Sequence, residues 1–314
     1  MTWPRLLTPF GEDTLWTREA EPDGPSLVDA YATCRAVMRH HAHAFYFSSR
    51  LLPLEKQRAI WAIYAVCRTS DDLVDCAPAG ATVADLLVTI NRWEQRLRDA
   101  DETVPIIHAF TDTRRRYDVP MQPLWDLFEG VRADLTCHRY ATWADLERYC
   151  YCVASTIGLL VTPVLGYDGR EETLAHAARL GIAMQLTNIL RDVGEDAAMG
   201  RVYLPQDEMT AFGYDDALIA AGVVNEDFRR LMRFQIARAR ELYHTSTPAI
   251  ASLHHSSHLP IHAAATLYGS ILGRIEAMDY QVYTSRARIS KRDKVLQLPA
   301  IWWQARRFPR PTFA

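Results

Sequence analysis

The six cysteines, Cys34, Cys67, Cys76, Cys137, Cys150 and Cys152, include no CxxC pair. Nothing at the N-terminus has the layout of a secretory signal peptide. A disulfide framework and a structural zinc site are therefore not expected, and a reducing cytoplasm is the expected setting. The sequence also lacks strand-like alternation of useful length, internal repeats, low-complexity segments, and the GxGxxG and HExxH motifs. Charge of one sign is missing too: the formal net charge is only −3, so no global field favours nucleic acid. Eleven histidines look metal-rich. Yet His40, His41 and His43, and later His254, His255 and His258, stand outside any Cys-bearing context, and surface or pocket-rim positions are expected for them. A charge-free run from Tyr149 to Tyr167 lies near the lower length limit for a membrane span. Ser155, Thr156, Gly158, Thr162, Pro163 and Gly166 interrupt its hydrophobicity, so a buried helix is the expectation.

What remains is helical. The chain has 314 residues, 49% of them hydrophobic, ample for a sizeable core. Residues 1–25 hold four prolines and read as an irregular extension. From Ser26 apolar residues recur three and four apart, in SLVDAYATCRAVMRHHAHAFYFSSRLL, LEKQRAIWAIYAVCRTSDDLVD and ATVADLLVTINRWEQRLRDA. Pro105, Pro120, Pro123, Pro163, Pro205 and Pro260 fall between these runs or at their starts, where proline does least harm. An all-α bundle is the economical inference.

Two acidic stretches carry the chemistry. SDDLVD at 70–75 and RDVGED at 191–196 each follow uninterrupted apolar helix. Residues four apart on a helix return to within about 40° of one direction, so Asp71 and Asp75 share a face, as do Asp192 and Asp196. Carboxylates crowded on one cavity repel and need a proton or a cation; Mg²⁺ with substrate phosphates is the usual all-oxygen solution at pH 7. Arg68 and Arg191, each just ahead of a motif in apolar surroundings, want a carboxylate or phosphate partner. The small residues Ala154, Ser155 and Gly158 fit either close helix packing or room for a long apolar ligand. In the basic end of the chain, Arg286 and Arg288 are within reach of phosphates, and Trp302, Trp303, Arg306 and Arg307 suit a membrane surface, although a solvated, docked tail is the expectation for the last fifteen or so residues.

HAFYFSSRLLP, WAIYAVCRTSDDLVD, YCYCVASTIG and LGIAMQLTNILRDVGEDAAMGRVYLP, in this order and spacing, resemble the squalene and phytoene synthases. The resemblance spans nearly residues 30 to 290. It implies the isoprenoid synthase fold: one all-α domain, 26–290, around a deep apolar cavity, with 291–314 a basic, aromatic tail. It implies that Asp71, Asp72, Asp75, Asp192 and Asp196, with Tyr149 and Arg191, serve catalysis, and that Asp71, Asp75, Asp192 and Asp196 hold Mg²⁺, for which Mn²⁺ can stand in. Arg68 and Arg191 match phosphate-binding arginines; Tyr64, Tyr149 and Tyr268 match cavity tyrosines; Gln185 and Asn188 match polar cavity residues. His43, Phe45, Ser49 and Arg286 join the expected substrate contacts. His43 stands where relatives often carry a lysine or arginine, and VAS replaces the common VAG, so Ser155 is expected to reshape the cavity slightly.

The implied activity is a Mg²⁺-dependent prenyl transfer. The texture of FYFSSRLLP and DYQVYTSRARIS favours condensation of two C20 geranylgeranyl diphosphates to phytoene, in carotenoid biosynthesis, with transient contact at a membrane surface. A C30 enzyme making dehydrosqualene, or squalene with NADPH, is the alternative. A non-catalytic scaffold is disfavoured because both acidic motifs and both arginines are present.

Overall fold

Local chemistry sets most of the helix boundaries. Ser26 caps α1 (Leu27–His41) by accepting from the Asp29 amide, and α2 (His43–Ser49) follows after one non-helical residue, Ala42. Beyond Pro53, α3 (Leu54–Asp75) runs without a break into the first acidic motif. Thr82 and Asp85 form a reciprocal capping box for α4 (Val83–Arg98), and Thr142 and Asp145 do the same for α7 (Trp143–Cys150). Between them lie α5 (Pro105–Tyr117) and α6 (Gln122–Ala133), each with proline in its first turn, where a missing N–H costs nothing. A π-helical turn, Tyr151–Ser155, joins α7 to α8 (Thr156–Leu165). Next comes α9 (Glu171–Ala198), the longest helix, ending in the second acidic motif. Short α10 (Gln206–Ala211) and α11 (Asp216–Ala220) lead to α12 (Glu226–Ser246), α13 (His255–Ala277) and α14 (Lys291–Ala305).

The computed structural model describes residues 24–309 except position 79; nearly all of the N-terminal extension and positions 310–314 lie outside the described residues. Among the described residues there is no strand, only two isolated bridges, Arg139 with Val202 and Tyr167 with Leu253. All six cysteines are free.

Two apolar cores form the body. One gathers α1, α3, α5, α6 and α8 around residues such as Ile63, Phe110 and Phe128; the other gathers α7, α9, α12 and α13 around Leu186, Phe228 and Leu272. They meet where α8 and the π turn press on α9. A Cβ at Gly181 would stand 2.6 Å from the Ser155 Cα, and one at Gly158 would stand 3.0 Å from the Ala177 carbonyl oxygen. The segment Trp143–Leu165 is the one described stretch long and apolar enough to cross a membrane, but it packs against α6 and α9 and walls a cavity.

Four expectations change. The run from Ser26 to Leu52 is two helices, broken at Ala42. Pro163 and Pro260 lie inside α8 and α13 rather than at helix starts. His258 is buried and hydrogen-bonded to the Leu253 carbonyl at 2.7 Å, not at the surface. Finally, the solvated, docked tail expected after residue 290 includes a regular helix over 291–305, with Ile301 buried against Ala263 and Leu267 of α13.

Candidate active site

Between the two cores lies a cavity of about 480 Å³, walled by Val131, Val153, Ile157, Val161, Leu180, Ile250 and other apolar side chains. On α3, Tyr64, Arg68, Asp71 and Asp75 recur at one- and two-turn spacing and all line it. On α9, Gln185 and Asn188 line it, and Asp192 follows Asn188 by one further turn. Both acidic motifs therefore sit at helix C-termini, and neither last turn carries a basic residue. That is the end at which the helix macrodipole disfavours anions, so the placement does not serve helix stability.

Arginines neutralise part of this charge. Arg68 pairs with Asp72 and stands 3.9 Å from Asp75. Arg191 grips Asp192 through two hydrogen bonds of 2.8 and 2.6 Å. Arg286 donates to the same Asp192 at 2.8 Å and pairs with Glu195 at 3.1 Å. Arg201, in the loop after α9, lies 3.9 Å from Asp75 and so links that loop to α3 across the mouth. Arg286 reaches its place because the chain at 282–283 crosses α9 directly over Gly194. A Cβ there would come within 2.5 Å of the Tyr283 Cα.

Asp71 and Asp196 make no ion pair among the described residues. Burial, opposed by Arg68 and reinforced by Asp75 and Asp134, raises the Asp71 carboxyl well above the ordinary range. Burial and then the Asp192 charge raise Asp196 to about 7. A third acid, Asp134, is raised to about 6, chiefly by burial, and its Oδ1 is buried with no hydrogen-bond partner. Carboxylates held this way suit a hard divalent cation with oxygen ligands. Among the described residues no three acidic, histidine or cysteine side chains converge into a ready-made cage. Such an open arrangement leaves coordination positions for phosphate oxygens and water.

Aromatic groups fill the mouth and wall. Tyr149 stacks on Tyr203 with ring centroids 5.3 Å apart, and Tyr140 stacks on both. Burial raises the phenols of Tyr64, Tyr149 and Tyr203, keeping them neutral at physiological pH. Phe45 stacks on Tyr268 at 5.3 Å. The Tyr268 hydroxyl donates to Asn188, whose amide donates to Gln185 at 3.2 Å, so the polar cavity residues form one chain. Ser48 and Ser49 are buried and line the cavity.

Two expectations need correction. His43 is exposed at the start of α2 and lies outside the cavity lining. His41, at the end of α1, is the histidine beside the acidic motif; burial and the Arg68 guanidinium lower its pKa. Ser155 does not line the cavity: it packs on α9 and donates to the Ala178 carbonyl at 2.6 Å, leaving Ala154 and Gly158 as the small wall residues. Asp134, Arg201 and Tyr203 join the site without having been singled out for it. Arg201 and Tyr203 stand within the same sequence block as Asp192, a usable signal; nothing local marks Asp134.

An all-α body with acidic helix ends facing an apolar hollow defines an enzyme of the isoprenoid synthase fold. The squalene/phytoene synthase family model matches residues 38–293, and the chain belongs to that family. A phytoene synthase from Arthrospira platensis is 41% identical over 297 residues, covering 88% of this chain and 94% of that protein. The 15-cis-phytoene synthase of Synechococcus elongatus is 39% identical over 296 residues, covering 89% and 94%. Among solved structures, a dehydrosqualene synthase in complex with ligand superposes with a TM-score of 0.82 at 28% identity, covering 89% of this chain and 98% of that one.

Proposed function

We propose that this chain is a phytoene synthase. It condenses two geranylgeranyl diphosphates head to head, through a cyclopropylcarbinyl (prephytoene) diphosphate, to phytoene, releasing diphosphate, as a step of carotenoid biosynthesis. The observation that carries the reading is the pair of acidic helix ends: Asp71 lines the apolar cavity, Asp196 lies beside Arg201 and Tyr203, which line it too, and neither carboxyl has an ion pair among the described residues. Identity near 40% to phytoene synthases, against 28% to the dehydrosqualene synthase, supports the C40 product over the C30 alternative. Burial of Ser48 and Ser49 in the wall leaves room there for a longer tail.

Mg²⁺, or Mn²⁺ in its place, fits Asp71, Asp75, Asp192 and Asp196, and supplies charge neutralisation for the departing diphosphate. Arg68, Arg191 and Arg286 bind the diphosphate oxygens and stabilise negative charge as the carbon–oxygen bond breaks. The allylic cation left behind is attacked by the double bond of the second substrate; loss of a proton closes the cyclopropane ring. A second ionisation, rearrangement and proton loss complete the triene-centred hydrocarbon. The walls exclude water that would quench the cations. The faces of Tyr64, Tyr149 and Tyr268 stabilise positive charge. Neutral phenols, Tyr149 and Tyr203 among them, suit a relay that hands a departing proton outward. No step draws on NADPH, which only the squalene alternative requires. The setting we infer is the cytoplasm, with the hydrocarbon released at a membrane surface because it has no soluble destination.

The test is product analysis: purified protein with Mg²⁺ and either the C15 or the C20 diphosphate, followed by extraction and mass measurement. A C40 hydrocarbon formed without NADPH is expected. A C30 product in preference, or no hydrocarbon from either substrate, overturns the assignment.

A further inference from the structure

The last helix carries a surface that the reaction does not use. Val295, Leu296, Trp302 and Trp303 of α14 are 62%, 64%, 47% and 53% exposed. Spacings of two turns, Val295 to Trp302 and Leu296 to Trp303, place them on the outward side of the helix, while Ile301 packs on α13 and Ala305 is buried. Soluble proteins rarely leave so many large apolar groups together without a partner.

Charge says what the partner is. Residues 291–307 contain five arginines and lysines against one acid, Asp293, in a chain of net charge −3. Asp293 is engaged at the helix start, where its side chain accepts from Ser290 at 2.7 Å. Arg306 lies 4.0 Å over the Trp302 ring and Arg307 3.3 Å over that of Trp303. We propose that the outward face of α14 seats on an anionic lipid surface. Its apolar residues enter the headgroup boundary and its cations engage the headgroups, the arrangement that holds amphipathic helices in an interface. A second copy of the chain fits less well, because it would set the same cations against each other.

The platform is firm and well placed. Gln304 bonds His262 of α13 at 2.9 Å, and Phe308 packs edge-on against His258 and His262. One helix, α13, separates this face from the cavity: Ile261, Ala264 and Tyr268 line the cavity, and Ala263 and Leu267 back Ile301. On the reading proposed above, an insoluble product forms one helix away from lipid.

The experiment is flotation of the full chain with vesicles of neutral phosphatidylcholine, or with about a quarter phosphatidylglycerol added, in the absence of substrate. Binding to the anionic vesicles is expected, about tenfold weaker on neutral ones and weakened by about 0.5 M salt. Trp302→Ser with Trp303→Ser should reduce it about tenfold or more while the melting temperature and turnover of detergent-dispersed substrate hold. Leu296→Glu, on an exposed turn, gives the same result without touching the tryptophans. Equal flotation of variants and wild type would overturn the proposal. So would a wild-type dimer that these substitutions convert to monomer, since the face would then be covered by a second copy. Because no substrate is present, a wrong product assignment leaves this outcome unaffected.

Discussion

The two acidic helix ends have the same residue type at the same spacing but unequal surroundings. On α3, Arg68 pairs with Asp72 while Asp71 points into the cavity with no ion pair. On α9, two arginines converge on Asp192 while Asp196, one turn on, has no ion pair among the described residues. Each motif therefore contains one carboxylate already satisfied and one left uncompensated. The satisfied acids hold the arginines in place; on the proposed function, the uncompensated ones create the demand for a cation.

Charge-removing substitutions test this division of labour. The largest expected effect is on turnover: Asp71→Asn or Asp196→Asn should lower kcat by about a thousandfold or more, as loss of a group that stabilises developing charge does. Neither should lower the melting temperature of the metal-free protein, because each removes a carboxyl whose ionised form burial already disfavours. Asp192→Asn should differ in sign. It removes the charged acceptor of Arg191 and leaves Arg286 with Glu195 alone, and a loss of about 1–3 kcal/mol in thermal or denaturant unfolding is expected, discounted for their partial exposure. Equal stability changes at Asp192 and Asp196 would erase the distinction. A smaller effect is expected at Gly194, where alanine would collide with the crossing chain and lift Arg286 from Asp192. About a tenfold loss in kcat/KM should appear, and combining Gly194→Ala with Arg286→Ala should cost little more than Arg286→Ala alone.

The acidic pairs were legible because helical periodicity maps spacing directly onto a face, and so were Arg68 and Arg191, which stand on the same helices and pair with Asp72 and Asp192. The all-α body and the inward use of Tyr149–Tyr167 followed from the same periodicity and from the interrupting small residues. What escaped depends on tertiary geometry. No glycine or proline marks the break at Ala42, yet that break decides which histidine meets the acidic motif: His41 stays beside Arg68 and His43 turns outward. Asp134 sits just past the end of α6, and only folding brings it beside Tyr149 and Arg201. Proline misled at Pro163 and Pro260, because packing on both sides of α8 and α13 outweighs the lost backbone hydrogen bond. The amphipathic helix at the C-terminus carries three prolines in or just after it and many cations, and reads as a solvated tail until Ile301 is seen packed on α13.

Proton linkage joins the uncompensated acids to the cation. An unfolded aspartate titrates near 3.9, so raising Asp196 to about 7 makes the folded protein the tighter proton binder between those values. That contribution to metal-free stability is full below about pH 4 and is lost as pH rises through about 7. A cation at the site must displace the proton. Titration calorimetry of the full chain with Mg²⁺ and inorganic pyrophosphate at pH 7, in two buffers of different ionisation enthalpy, counts the protons released. The account expects net release of about half a proton or more from Asp196 and Asp71, markedly reduced in Asp196→Asn. Binding with no proton release, unchanged by that substitution, would contradict it.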